Sequence, residues 1–469
     1  MDYIRFEENG QLCLAQTLGS LLIPNTLFGF VNTETTVEKA VSNRDVYAFH
    51  GTMDIPEEER VCPKCGRRMH INSHPDIRIR HLPFGSTLTV VVIPHNQFRC
   101  PHCNATRQQF ISFKADNHLI TRELLSYTED LLATGSYTNK EVAEITGLGR
   151  NTVKDIDKAR LMALHTERGR LRKPAAHSEY LGIDEFKLHN GHRFATHIVD
   201  LRTGHVLWIA EGKKKQVVYD FVDHVGLEWM SHVKAVACDM NSDFQEAFTE
   251  KCPHIQVVFD HFHIVKNFNE KVVGEIRKDE QRRLMEEGDY EAARALKGSR
   301  YILTSNRATL QSRDEEARSG KVSGRVSSLF NKPVYVRKDG LEARYDEILS
   351  QNRLLFTCDL VKEKLLYAYK QQDAAKMGTA IADIVYYCHA SQNRHLEWFG
   401  RLLANHHEGI VGYATHKIST GKMEGINNKI KTLRRQGYGY PDDEYFFLKL
   451  IDMSRVEYVR NQKSHRICD

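Results

Sequence analysis

The chain has 469 residues, of which 41% are hydrophobic, and a formal net charge of +5. That length exceeds one ordinary core and predicts about two to four domains. The longest apolar run near the start, LLIPNTLFGFV, is broken by Pro24, Asn25 and Gly29 and has no basic stretch before it, so neither export nor membrane insertion is expected and the location is expected to be cytoplasmic.

In chain order, residues 1–60 form an N-terminal segment of uncertain role, closed by the charged linker PEEER. Residues 61–115 read as a cysteine module. VCPKCGRRMH carries Cys62 and Cys65, and FRCPHCNATRQQF carries Cys100 and Cys103. Each CPxC is a knuckle whose tight turn lets two thiolates reach one ion about 2.3 Å away. The intervening stretch IRIRHLPFGSTLTVVVIPHNQFRC reads as a β-hairpin that returns the chain to close the site. Four thiolates fill a tetrahedral shell, so one structural Zn²⁺ is expected, with His70, His74 and His95 as weaker alternative ligands. The other cysteines, Cys13, Cys238, Cys252, Cys358, Cys388 and Cys468, are scattered as in reduced intracellular chains.

Residues 116–172 are helical. In YTNKEVAEITGLGRNTVKDIDKARL, Thr138 or Asn139 can cap one helix, Gly147 permits a turn, and a second helix begins at Gly149–Asn151. With the preceding RELLSYTEDLLATG, this makes a three-helix helix-turn-helix unit. Arg150, Asn151, Thr152 and Lys154 fall at the start of the second helix, the part that enters the DNA major groove in such units. An ordinary helical hairpin is the competing reading.

KPAAHS, 173–178, reads as a linker. From Tyr180 the pattern is β-β-β-α-β-α-β-α, which implies a mixed sheet covered by helices. This is the chain order of an RNase H-like fold, in which the first and fourth strands lie side by side. Asp184 lies within the first strand and Asp239 ends the fourth, so the two carboxylates are expected to meet and to need a divalent cation between them. Residues 177–269 are taken as the first part of this core, 270–384 as a helical insertion with a looser stretch at SGKVSGRVSS, and 385–469 as the second part.

A third carboxylate is expected from GKMEGINNKIKTLRRQ, 421–436. At helical spacing, Ile426, Ile430 and Leu433 face inward, and Glu424, Asn427, Asn428, Lys431 and Arg435 face outward. Glu424 would complete a two-metal site, and its face-mates, with Arg434 beside them, would border the DNA backbone. Glu397 and Glu408 are the next candidates. Asp260, His261 and His263 in FDHFHIVKN invite a metal-ligand reading, but His261 and His263 at i, i+2 on a helix start would not face the same way. His263 is retained as an active-site neighbour.

Taken in order, CPKCG, CPHC, the helix-turn-helix, GIDEFKLHNGHRFATHIVDLRTG, AVACDMNSDF, FDHFHIVKN and MEGINNKIKTLRRQGYGY resemble the ISL3 family of bacterial insertion-sequence transposases. The resemblance runs from about residue 60 to 455. It implies a DDE triad of Asp184, Asp239 and Glu424 holding two Mg²⁺ (or Mn²⁺) ions. It further implies DNA partners, namely terminal inverted repeats and target DNA, a homodimer or higher oligomer on DNA, and a nucleoid-associated location in a bacterial cytoplasm. A DNA-binding regulator without chemistry, or an RNase H-like nuclease that cuts without joining, are the alternatives.

Overall fold

The computed structural model describes residues 27–40, 44–240, 242–319, 339–418, 421–437 and 439–455. The loose stretch expected at SGKVSGRVSS lies outside the described residues from residue 320, as do the first 26 residues of the N-terminal segment. The chain divides into two compact units, residues 1–172 with 433–469, and Lys173–Thr432.

Among its described residues the first unit opens with seven strands: β1 (Phe30–Lys39), β2 (Asp45–Met53), β3 (His70–Ser73), β4 (Asp76–Phe84), β5 (Thr87–Pro94), β6 (Gln97–Arg99) and β7 (Thr106–Gln108). Strands β4 and β5 are the hairpin expected between the knuckles. They do not stand alone. The N-terminal segment supplies β1 and β2, and β2 pairs with β5 in parallel to give the sheet order β1-β2-β5-β4. Alternation splits the apolar residues of β4 and β5 between two faces. Ile79, Val91 and Ile93 pack with Ile111 and Phe113, while Val90 and Val92 pack with Ala48 of β2. A second small sheet, β3-β6-β7, carries the cysteines.

Three helices follow, α1 (Arg122–Ala133), α2 (Asn139–Thr146) and α3 (Arg150–His165). Thr138 caps α2 in a reciprocal capping box with Glu141, and Gly147 ends that helix in the left-handed region at φ 72°. Leu124, Leu132, Val142, Val153 and Ile156 close a core between the three helices. The unit is tied to the sheet through its backbone. Arg80 N–H donates to Leu119 O at 2.9 Å, and Thr121 N–H donates to Arg80 O at 2.8 Å, so the entry to α1 extends the β4 edge. A short hairpin, β8 (Thr166–Glu167) and β9 (Arg170–Leu171), ends this part.

In the second unit, β10 (Tyr180–Lys187), β11 (Phe194–Asp200) and β12 (Val206–Glu211) form an antiparallel meander. Then come α4 (Lys215–Val225), α5 (Leu227–Met230), β13 (Ala235–Cys238), α6 (Ser242–Lys251), β14 (Gln256–Phe259) and α7 (His261–Asn267). The sheet order is β12-β11-β10-β13-β14, with β13 parallel to both β10 and β14. The last β10–β13 pair is Gly182 with Ala237. Continuing that register by two residues sets Asp184 beside Asp239.

A π-helical turn, Phe268–Val273, leads from α7 into the helical region: α8 (Gly274–Glu286), α9 (Tyr290–Leu296), α10 (Arg300–Thr304), α11 (Arg307–Arg318), α12 (Leu341–Gln351), α13 (Arg353–Lys370), α14 (Ala374–Ala390), α15 (Arg394–Asn405) and α16 (His407–His416). Residue 384, the expected end of the insertion, lies inside α14. These helices share one apolar core with the sheet, in which Ile183, Ile198, Phe221 and Phe244 are continuous with Leu365, Ile384 and Phe399. Helix α17 (Gly421–Gln436) follows, with Met423, Ile426, Ile430 and Leu433 buried. The division between the units falls in this helix, and α18 (Asp443–Arg455) belongs to the first unit.

Candidate functional sites

The four predicted cysteine ligands converge. The Sγ atoms of Cys62, Cys65, Cys100 and Cys103 all lie within 4.8 Å of one another. Cys62–Cys103 and Cys65–Cys100 are each 3.5 Å apart. A tetrahedron with zinc–sulfur bonds of about 2.3 Å has edges of about 3.8 Å, so one ion fits with little movement. The two knuckles repeat one backbone device. Gly66 N–H returns to Cys62 O, and Asn104 N–H to Cys100 O, with both returning residues in the left-handed region. The N–H groups of Cys103 and His102 aimed at the Cys100 sulfur hold that thiol down at about 6. The expected alternative ligands stand apart from the cluster. His70 and His74 are exposed, and His95 Nε2 pairs with Gln109 O at 3.2 Å. The site can hold one structural zinc.

The predicted DNA readers start α3. Arg150 and Asn151 are exposed and Thr152 is half-buried. Lys154 is engaged elsewhere: its ammonium lies 2.9 Å from Asp442 and over the Tyr445 ring. Sequence reasoning did not anticipate the partner helix. Helix α18 packs along α3 through a buried charge network centred on Asp157. Asp157 accepts from Tyr445 Oη and Lys449 Nζ, each at 2.7 Å, and pairs with Arg160 at 2.9 Å. Asp452 joins Arg160 and His165. The one sequence signal was the run of acidic and basic residues in both segments at helical spacing.

In the second unit, β10 presents Asp184, and Asp239 directly follows the last residue of β13. Asp184 is held at both oxygens. Glu185 N–H donates to Oδ1 at 2.8 Å, and the Asn427 amide donates to Oδ2 at 2.7 Å. Burial raises its pKa above the ordinary carboxylate value, the Asn427 and Glu185 donors and the His263 charge oppose this, and the Asp239 charge adds to it. Asp239 accepts from Met240 N–H at 2.6 Å. His263 Nδ1 lies 3.5 Å from Asp239 Oδ1 and 3.8 Å from Asp260 Oδ2. Asp260 itself caps α7 by accepting from Phe262 N–H. His261 turns the other way, toward Tyr369 and Tyr413, so the two histidines do not share a direction.

Asn427 therefore points at a carboxylate, whereas the sequence pattern put it along the DNA backbone. Its Oδ1 is buried with no hydrogen-bond partner. Glu424 stands three residues earlier on α17 and is exposed, as are Asn428, Lys431 and Arg435. Arg434 is half-buried beneath the Phe446 ring. Among the described residues, the Asp184, Asp239 and Glu424 oxygens are not gathered as tightly as the cysteine cluster. Directly across from Asp184 in the β10–β11 register is His197, which is fully buried with both ring nitrogens unpartnered. Burial holds its imidazole down at about 4, so it is neutral. Alternation within FATHIVD was its only sequence signal.

Comparison with known proteins gives a consistent result. The sequence profile of the ISL3 transposase family matches residues 181–450. A profile described as the zinc-finger of transposase IS204/IS1001/IS1096/IS1165 matches residues 58–103. The transposase for insertion sequence element IS1001 of Bordetella parapertussis is 30% identical over 392 residues, which cover 83% of this chain and 87% of that protein. The transposase for insertion sequence element IS1557 of Mycobacterium tuberculosis is 26% identical over 263 residues, covering 55% of this chain and 56% of that protein.

Proposed function

The chain belongs to the ISL3 family of transposases, and from that premise we propose that it binds the terminal inverted repeats of an insertion sequence and carries out metal-dependent strand cleavage and strand transfer. The observation that carries this reading is the meeting of three elements. Strands β10 and β13 bring Asp184 and Asp239 to neighbouring positions, and Asn427 ties the Glu424 helix to Asp184. The strand order, with the first and fourth strands of the sheet adjacent, supports an RNase H-like core.

The residues suit a hard divalent cation. Burial and the nearby Asp239 charge make ionisation of Asp184 costly, and a buried amide oxygen on Asn427 lacks a partner. Carboxylate and amide oxygens are the donors Mg²⁺ or Mn²⁺ prefers. Asp184, Asp239 and Glu424 would hold two such ions, which when bound neutralise the phosphate and activate the attacking oxygen. The chain's own contribution is positioning. The N–H groups of Glu185 and Asn427 fix the plane of the Asp184 carboxylate. The exposed Lys431 and Arg435 give α17 a cationic face toward a phosphate backbone, with Asn428 and Arg434 beside them. Arg150, Asn151, Thr152 and Lys154 begin the helix that reads the repeat.

The chemistry is hydrolysis of a phosphodiester at the element's end, then attack of the freed 3′-hydroxyl on target DNA. Two ends must be joined, so the working species is a homodimer or a larger oligomer on DNA in a bacterial cytoplasm, near the nucleoid. Among the described residues no helix is long and apolar enough to cross a membrane. The test is a cleavage and joining assay on end DNA with Mg²⁺ or Mn²⁺, run beside a binding assay. Binding without cleavage would make the protein a regulator. Cleavage without joining of a supplied 3′-hydroxyl end would make it a nuclease.

A further inference from the structure

We infer that the N-terminal sheet is part of the DNA-binding surface: β1, β2 and β4 form, with α2 and the start of α3, one basic groove that holds the phosphate backbone beside the bases read by the helix-turn-helix. The inference rests on the reading of α3 as a recognition helix and gives the β1–β2 segment, whose role the sequence left open, a defined partner.

The groove measures about 950 Å³ and lies within the first unit. Its floor is apolar, made by Val46, Leu88 and Val90 of the sheet and by Ala143 and Leu148 of the helices. Among the described residues its rim carries Lys39, Arg44, Arg78, Arg80, Lys140 and Arg150 against three carboxylates, Glu38 and Glu144 on the rim and Asp45 paired with Lys39. The chain as a whole has 66 basic and 61 acidic residues. Six basic residues against three acidic ones is therefore a local concentration of charge and does not follow from overall composition. Such a stripe is the electrostatic footprint of a polyanion site.

Two of the arginines are already positioned. Arg44 donates from Nε to Ser86 O and from Nη1 to Glu144 O, both at 2.9 Å, which bridges the β5 turn to α2. Arg80 Nη1 donates to Gly147 O, at the turn of the helix-turn-helix. A guanidinium has five N–H donors, so each keeps others for phosphate while its geometry is fixed in advance. Little side-chain entropy is then lost on binding. Arg80 is lowered from its ordinary pKa by burial, with the charges of Arg44 and Arg78 adding to the effect. A phosphate placed there would relieve that crowding. The sheet and helices are also joined through the Arg80–Leu119 and Thr121–Arg80 backbone bonds, which tie β4 to the entry of α1. The positive end of α3 opens beside the groove, at Gly149 and Arg150.

The test uses the full-length zinc-loaded protein with Arg78→Gln and Lys140→Gln together. These side chains are exposed and pair with the carboxylates of Glu38 and Glu144. Melting temperature and zinc content act as fold controls. Affinity is measured against salt on end DNA and on a scrambled duplex. Two lost phosphate contacts should make the slope of log K against log salt shallower by about 2 on both duplexes, leaving their affinity ratio unchanged. A wild-type slope in the double variant would overturn the inference. So would an equal loss in a Lys278→Gln, Arg282→Gln control on α8, because net charge would then account for it. If the wild type binds both duplexes equally, the recognition-helix reading fails, while the groove still stands or falls on the slope measured with the scrambled duplex.

Discussion

Met423 occupies the space that a side chain at Gly182 would need. A Cβ built on Gly182 would run into the Met423 sulfur and stand 2.8 Å from Leu201 Cδ2. The glycine in YLGIDEF thus lets α17 lie directly on β10, and that approach brings Asn427 within 2.7 Å of Asp184.

Gly182→Ala is expected to push α17 off the strand. Overpacking of this kind costs about 1–3 kcal/mol, and the larger consequence is loss of the Asn427–Asp184 bond. DNA binding should persist while cleavage falls sharply. Adding Met423→Ala should restore both melting temperature and cleavage. Cleavage at the wild-type rate in Gly182→Ala alone would show that the close approach is dispensable.

Glu424→Gln should leave the helix packed, because Met423, Ile426, Ile430 and Leu433 are untouched, and should retain DNA binding. Strand cleavage and joining should be abolished, since an amide is a weaker ligand for a hard cation than a carboxylate. Asp184→Asn and Asp239→Asn should match it, and a double variant should be no worse than either single one. Joining near the wild-type rate in Glu424→Gln would move the third carboxylate to Glu408 or Glu397.

Much of this was legible in the sequence because it rests on local rules. The CPxC knuckles, the Thr138 cap, the Gly147 turn and the alternation in β10 to β12 each depend on a few neighbouring residues. The inward set Ile426, Ile430 and Leu433 followed from helical period alone. What was not legible depends on partners far apart in the chain. Nothing around Arg80 announces that β1 and β2 will join its sheet, because a parallel β2–β5 pairing leaves no turn signature. Asn427 looked like one more polar residue on an exposed face, and only the approach of β10 turns it toward a carboxylate. The Asp157 network was hidden for the same reason: its partners Tyr445, Lys449 and Asp452 lie almost 300 positions away.

Removing zinc should affect the first unit alone. Cys62→Ser or Cys100→Ser is expected to lose the ion and unfold the β3-β6-β7 module, because metal-binding energy there is folding energy. Metal analysis with a melting curve checks this. Purified wild type without stoichiometric zinc would remove the basis for the site.

The α3–α18 contact should be both essential and acid-sensitive. Asp157 is fully buried with Arg160 and Lys449 closing on it, so Asp157→Ala takes the carboxylate from Lys449 and leaves Arg160 with Asp452 alone, and should cost about 3–5 kcal/mol. The pH dependence comes from Asp442 at the mouth of the same contact. Burial works against its charge, but Lys154, the Tyr445 N–H and Lys158 hold its carboxyl down at about 2. A carboxylate whose folded pKa is depressed stabilises the protein above its unfolded value, about 3.9, and that stability is lost as the pH falls toward the folded value. Asp452, where burial again works against the charge but His165 and Arg160 lower the carboxyl, adds to it. Asp442→Asn should therefore melt below the wild type at neutral pH, and the gap should close between about pH 4 and pH 2. Hydrogen exchange of α18 amides across that range reads the effect locally. A gap that stays constant down to pH 2 would mean that the Asp442 charge contributes nothing to holding α18 against α3.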